Sequence, residues 1–315
     1  MKIGIVGLGK MGGNMATRIG AAGHEVVGFD PHSDASQVAS LAELVERLDP
    51  PRVVWAMVPA GDPTEQVVRD LGGLLSAGDV VIDGGNSNWH DSVRRAGELA
   101  EHEVGFIDAG TSGGVWGRTE GYCLMVGGAP DDVATAQPIF DALKPDDGGF
   151  VHAGPVGTGH FTKMVHNGIE YGLMQAYAEG YELLARSGLG IDVDGALDAW
   201  RSGSVVRSWL LDLLVRALQQ TPDFDGIQGY AKDSGEGRWT VQEAVERGVA
   251  TPVISAALYA RFVSQHDDSI AMKAIAALRN QFGGHAVLAE TESDDGDERV
   301  GPPGRRAAPV TRRWR

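Results

Sequence analysis

The chain has 315 residues, enough for two domains, and its 43% hydrophobic and 22% charged residues suit a globular protein with a real core. A net charge of −16 makes nucleic acid and anionic membrane surfaces poor partners. A single cysteine, Cys123, excludes an internal disulfide framework and argues against a cysteine-based metal site.

Taken in chain order, residues 2–6 read as a buried strand, short and β-branched and ended by glycine. This apolar run is too short for a signal peptide, and no stretch of about 18 apolar residues follows anywhere, so a cytoplasmic protein is expected. Residues 10–22 read as a helix closed by Gly23, and 25–29 as a second strand. Apolar runs at 52–58, 79–82 and 104–108 are strand-like, and 121–127 and 150–152 suggest further strands. Alternating strands and helices predict a parallel sheet covered on both faces. The texture changes near Pro155, and helices are predicted over 160–186, 192–200, 205–219, 238–247 and 252–282. Residues 290–315 pass from an acidic run to a basic, proline-containing end and read as a disordered tail.

Gly7-Leu8-Gly9-Lys10-Met11-Gly12 is a G-x-G-x-x-G that follows the first strand directly and opens the first helix. Gly7 suits the tight turn, Gly9 lets a pyrophosphate reach the backbone, and Gly12 lets helix and strand approach. The helix N-terminus then offers free N–H groups to phosphate. Asp30 ends the second strand where an acid accepts hydrogen bonds from the adenine ribose, and it repels a 2′-phosphate. Its neighbours Pro31, His32, Ser33 and Asp34 include no arginine, so NAD is favoured over NADP, with His32 leaving NADP a weaker option. The fold class is thus α/β: a Rossmann-type doubly wound sheet over 1–156, an all-α substrate and oligomerisation domain over 157–289, and the tail.

One helix carries an unusual row. With Lys163 at position i, His166, Asn167, Glu170 and Tyr171 fall at i+3, i+4, i+7 and i+8 on one face, while Met164, Val165, Ile169 and Leu173 suit a core. A solvated face would carry interchangeable charges; a base, an acid, an amide and a phenol beside small glycines suggest a catalytic wall. Lysine with an ordinary pKa near ~10.4 cannot act as a base, so burial and a neighbouring cation such as His166 are expected to lower it. Glu170, if desolvated, would serve as the acid.

On these residues the chain resembles the decarboxylating 6-phosphogluconate dehydrogenases in their short bacterial form, over nearly all of residues 1–289. The likeness is carried by Gly7 to Gly12 with Asn14, Asp83-Gly84-Gly85-Asn86-Ser87 with Asp91, Ser112-Gly113-Gly114, the Lys163–Tyr171 row, and Arg279-Asn280-Gln281-Phe282-Gly283-Gly284-His285. The resemblance implies oxidation of 6-phosphogluconate at C3, loss of CO2 and tautomerisation to ribulose 5-phosphate. It implies Lys163 as general base and Glu170 as general acid. Asn86, Ser112, Gly113, Gly114, His166 and Asn167 would hold the substrate's carboxylate and hydroxyls, and Tyr171, Arg261, Arg279 and His285 its phosphate end. Met11, Val58, Pro59 and Asn86 would touch the cofactor alongside Leu8 and the glycines. The resemblance also implies a homo-oligomer in which Arg279 and His285 are donated by a neighbouring subunit, and no metal is indicated. Two departures stand out: Ser234-Gly235-Glu236-Gly237-Arg238-Trp239-Thr240 lacks the family's phosphate lysine, leaving Arg238 or Lys232 to substitute, and Val115-Trp116 replaces an acidic pair. A simpler β-hydroxyacid dehydrogenase without decarboxylation, and a dinucleotide-binding protein without turnover, are the competing readings.

Overall fold

The structure is a computed structural model and describes residues 1–283, 286 and 287. It divides into two compact units, Met1–Gln265 and the residues from His266 onward. In the first unit, β1 (Lys2–Val6), α1 (Lys10–Ala21), β2 (Glu25–Phe29), α2 (Leu41–Glu46), β3 (Val53–Ala56), α3 (Asp62–Leu74), β4 (Val80–Asp83), α4 (Trp89–Ala100) and β5 (Gly105–Ser112) alternate. The short α5 (Gly117–Glu120), then β6 (Cys123–Gly127), α6 (Pro130–Leu143) and β7 (Phe150–Gly154) complete the sheet. Five helices follow: α7 (Thr158–Ala185), α8 (Val193–Trp200), α9 (Trp209–Gln220), α10 (Glu236–Glu246) and α11 (Pro252–Val263).

The strand order is β2-β1-β3-β4-β5-β6-β7, so the winding reverses between β1 and β3. Every pair is parallel except β5–β6. That exception corrects the all-parallel expectation. Residues 113–122 hold only one 3-10 turn and α5, shorter than the dozen or more residues a parallel crossover needs, and the strand turns back. The strands are apolar throughout because both faces are covered. Ile3, Ile5, Trp55, Ile82 and Ile107 pack with Met15, Ile19 and Phe140 on one face, and Val6, Val54 and Val81 pack with Leu44, Val68, Leu71 and Leu99 on the other. Trp55 meets Phe140 edge to face at 5.9 Å, a geometry that adds to the burial of each ring.

The helical part is seated on the sheet through the start of α7. Buried Asp108, on β5, accepts the backbone N–H groups of Gly157 and His160, both at 2.7 Å, and so caps the helix. A Cβ at Gly159 would lie 2.3 Å from the Asp108 carbonyl oxygen, and one at Gly110 would lie 2.3 Å from Lys163 Cβ. Two glycines therefore set how closely helix and sheet approach. From α10, Glu243 accepts from Trp89 Nε1 at 3.1 Å, meets His90 Nε2 at 3.0 Å and pairs with Arg247. The helix expected from 205 begins at Trp209, because Ser208 Oγ accepts the Leu211 N–H at 3.1 Å and forms the N-cap.

The second unit contains α12 (Ile270–Gly283). The single helix expected over 252–282 is therefore two. Ser264 Oγ bonds the Arg261 carbonyl oxygen at 2.7 Å and accepts the Ala231 N–H at 3.0 Å. The Ser264-Gln265-His266-Asp267-Asp268-Ser269 run has no apolar face to carry a helix onward. His285 and the tail expected over 290–315 lie outside the described residues.

A buried charge network fastens the loop after β4. Arg95, 1% exposed, donates from Nη1 to Asp83 Oδ2 at 3.1 Å and to Ser87 Oγ at 3.3 Å, and from Nε to Glu65 Oε2 at 2.9 Å. The Arg94 guanidinium, joined by Arg95 and opposed by partial burial, holds the Glu65 carboxyl down at about 2. A folded pKa below the unfolded one means that this stability is present above pH 4.5 and is lost as pH falls toward about 2. In thermal melts across that window, Glu65→Gln should show a shallower loss of Tm than the parent; equal slopes would contradict the assignment.

Candidate active site

The glycine loop sits at the point where the strand order reverses, the crevice where such sheets bind dinucleotides. Its three glycines are required for different reasons. Gly7 has φ +92°, and a Cβ there would lie 2.4 Å from the Met57 carbonyl oxygen. A Cβ at Gly12 would lie 2.0 Å from the Gly7 carbonyl oxygen, so α1 can approach β1 only with glycine there. Gly9 is exposed and has nothing within 4 Å of its ideal Cβ position. That bare backbone, at the first turn of α1, fits a pyrophosphate. Asp30 Oδ2 accepts the Leu8 N–H at 2.8 Å and Oδ1 accepts the His32 N–H at 2.9 Å. These bonds, the one from His32 foremost, hold its carboxyl below the usual range, so the acid is charged and fixed beside the loop. Val58 and Pro59 follow β3 on the same side, and Met11 lies in the first turn of α1.

After β4, Asp83 Oδ1 accepts the Gly85 N–H at 3.1 Å, while a side chain at Gly84 would strike the Trp55 indole. Asn86 stands exposed at the tip of this anchored loop. At the end of β5, Ser112 Oγ lies 3.3 Å from His166 Nε2. Gly113 follows with φ +131°, a conformation open to glycine alone.

The row on α7 is assembled as the spacing predicts. Lys163 is 6% exposed and its Nζ donates to Asn167 Oδ1 at 2.6 Å. His166 Nδ1 lies 2.9 Å from the same oxygen and 3.9 Å from Glu170 Oε2. Since Asn167 Oδ1 can only accept, Nδ1 carries a hydrogen, and Nε2 accepts from Ser112 in the neutral ring. Burial drives the Lys163 pKa down, as a base requires. The expected cation is not its partner, however. The charges acting on it are the carboxylates of Glu236 and Glu170, both of which oppose that shift, while burial pushes the Cys123 thiol up and keeps it uncharged. Glu170, whose role as acid is conditional on desolvation, is partly covered, with its side chain 36% exposed. Of the four residues assigned to the core, Met164 is buried and Val165 partly so, but Ile169 and Leu173 are 54% and 42% exposed.

Tyr171 is buried, and its hydroxyl accepts the Ser234 N–H at 2.9 Å. Arg261 lies 3.4 Å above the Tyr171 ring and donates to the Lys232 carbonyl oxygen at 3.0 Å. Arg238, offered as a phosphate ligand, is paired with Asp233 at 2.7 Å. Lys163, His166, Asn167, Glu170, Ser112, Tyr171 and Arg261 thus share one unit. Arg279 is exposed on α12, in the other. The sequence reading missed Asp108, Arg95 and the burial of Glu236. Asp108 is separated from the helix it caps by α5, β6, α6 and β7, and Glu236 stands between two glycines in what reads as a surface loop. Among the described residues, no helix is long and apolar enough to cross a membrane, and no group of three His, Cys, Asp or Glu could hold a metal ion.

Residues 2–145 match the NAD-binding domain of 6-phosphogluconate dehydrogenase, and residues 159–297 match the C-terminal domain of 6-phosphogluconate dehydrogenase. A relative from Haloferax volcanii, named an NAD(+)-dependent, decarboxylating 6-phosphogluconate dehydrogenase, is 42% identical over 91% of this chain and 98% of its own length. The Bacillus subtilis protein named putative 6-phosphogluconate dehydrogenase YqeC is 43% identical over 91% of this chain and 99% of its own. Among solved structures, Plasmodium falciparum 6-phosphogluconate dehydrogenase superposes with a TM-score of 0.75 at 27% identity, covering 93% of this chain and 67% of that one. Mycobacterium tuberculosis 3-hydroxyisobutyrate dehydrogenase superposes at 0.68 with 25% identity, over 88% and 99%. With both halves matched and full-length relatives above 40% identity, the chain belongs to the 6-phosphogluconate dehydrogenase family.

Proposed function

We propose that this enzyme oxidatively decarboxylates 6-phosphogluconate to ribulose 5-phosphate and CO2, with NAD preferred as oxidant. The buried Lys163, bonded to Asn167 and set beside the His166–Ser112 pair, carries the reading. The nicotinamide, when bound, supplies the acceptor for the hydride. Lys163 Nζ takes the proton of the C3 hydroxyl, and Asn167 Oδ1 orients the amine for it. The resulting β-keto acid loses its carboxyl as CO2, because the new carbonyl accepts the electron pair of the breaking bond. The ammonium of Lys163 can return its proton to that oxygen, and Glu170 protonates carbon in the final tautomerisation. Ser112, Gly113, Gly114 and Asn86 hold the carboxylate end, and Arg261 over Tyr171 holds the phosphate end.

Residues 1–156 would serve the cofactor and 157–289 the substrate. Exposed Ile169 and Leu173, with Leu183 at 74% and Val253 at 66%, support a homo-oligomer through the helical part. Arg279 and His285 would then enter a neighbouring subunit's site. Substrate lacking the phosphate should lose most of its kcat/KM; equal use of gluconate would contradict the phosphate assignment. For the cofactor, Asp30→Ser combined with His32→Arg should lower the NAD-to-NADP preference at least about tenfold, equivalent to ~1.4 kcal/mol. An unchanged ratio of kcat/KM values would remove Asp30 as the selector.

A further inference from the structure

Glu236 opens α10 and is 3% exposed, an uncommon state for a carboxylate. Its Oε2 accepts from Ser234 Oγ at 2.9 Å, and its Oε1 is buried with no hydrogen-bond partner among the described residues. Ser234 is in turn bound to Tyr171. Its N–H donates to Tyr171 Oη at 2.9 Å, and because its hydroxyl hydrogen goes to Glu236, Tyr171 Oη is the donor in the 3.1 Å bond to Ser234 Oγ. A directed chain therefore runs from the ring beneath Arg261, through Ser234, to the carboxylate.

The buried face of α10 lies against α7. Thr240, one turn after Glu236, donates to the Met164 carbonyl oxygen at 2.8 Å. Side chains at Gly168 and Gly237 would strike Thr240 and Tyr171. This packing brings the start of α10 to Met164, next to Lys163, since the Thr240 hydroxyl lies 2.8 Å from both the Met164 and the Glu236 carbonyl oxygens, and of the charged groups acting on that lysine Glu236 is the foremost. The other is Glu170 on the same helix; the Cys123 thiol on β6 also faces the lysine, but burial pushes its pKa up and keeps it uncharged. His166 shares the Asn167 oxygen with Lys163, and the one acid of β5 beneath α7, Asp108, spends both oxygens on backbone N–H groups.

We propose that Glu236 is a positioning residue for Lys163, a buried counter-charge held by Tyr171 and Ser234 that sets the pH range in which the lysine acts as base. The proposal rests on the reading of Lys163 as that base. It gives the departure at Ser234–Glu236 a role in the chemistry rather than in phosphate binding.

The test is the pH dependence of kcat/KM for the full chain with 6-phosphogluconate and NAD, for the parent, Glu236→Gln, Glu236→Asp, Ser234→Ala and Lys163→Met. Activity rises as Lys163 loses its proton, and an adjacent anion delays that loss. Removing the anion should therefore move the acidic limb about one unit to lower pH, while Glu236→Asp restores it. Ser234→Ala, which takes away the donor to Oε2, should move the limb the same way by less, and it carries the test if Glu236→Gln fails to fold. An unmoved limb in Glu236→Gln, or in Ser234→Ala where that stands alone, overturns the proposal. Lys163→Met separates the two readings: if it keeps the parent's limb, the base is not Lys163, whereas if it abolishes turnover and the limb of Glu236→Gln stays in place, only the role of Glu236 falls.

Discussion

Replacing Lys163 by methionine should lower kcat by about a thousandfold or more, the scale of a lost general base, and leave the dissociation constant for NAD within a few fold. The two readouts separate because of where the groups lie. The cofactor loop belongs to β1 and α1, whereas Lys163 sits on α7 over Gly110 of β5. Methionine fills nearly the same volume and needs no hydrogen bond, so the 6% exposed position tolerates it. Asn167 Oδ1 loses one donor but keeps His166 Nδ1 at 2.9 Å. The fold should therefore survive, with thermal unfolding near that of the parent. Turnover within tenfold of the parent would take the base role away from Lys163.

The largest expected effect on stability comes from Arg95→Met. Arg95 bonds Asp83, Ser87, Glu65 and the Gly61 carbonyl oxygen while itself 1% exposed, and Asp83 is 0% exposed. Removing the cation leaves the Asp83 carboxylate in the core with only the Gly85 N–H opposite Oδ1. Breaking one partner out of a buried pair costs on the order of 3–5 kcal/mol, a fall in Tm of roughly 10 °C for a chain of this size. The same change loosens the loop that carries Asn86, so KM for substrate and cofactor should rise as well. The double variant Arg95→Met/Asp83→Leu, which removes both charges, should regain much of the stability without regaining the loop. If Arg95→Met melts within about 2 °C of the parent, the network does not hold this region.

How much of this was legible in the sequence depends on how local each feature is. Gly7, Gly9 and Gly12 announce themselves because a turn, a phosphate approach and a helix packing onto a strand all act within one short segment. The Lys163 row is legible for the same reason, since helix geometry alone puts i, i+3, i+4 and i+7 together. Ile169 and Leu173 were misassigned because periodicity gives an apolar face without saying what covers it. The reversal of β6 depends on the length of a connection whose elements are too short to read. Glu236 and Asp108 matter through contacts with distant elements: Glu236 acts on Lys163 because α10 packs on α7, and Asp108 caps a helix that begins only after α5, β6, α6 and β7. The sense of the Lys163 electrostatics was lost in the same way, because the foremost of the carboxylates that oppose its deprotonation, Glu236, comes from α10 and only Glu170 from α7 itself.

The most direct test of the central claim is a single incubation of the protein with 6-phosphogluconate and NAD or NADP, following reduced cofactor and released CO2 together. The account predicts equal amounts of the two products, formed faster with NAD. Reduced cofactor without CO2 would contradict it and place the chain's activity among the simpler β-hydroxyacid dehydrogenations.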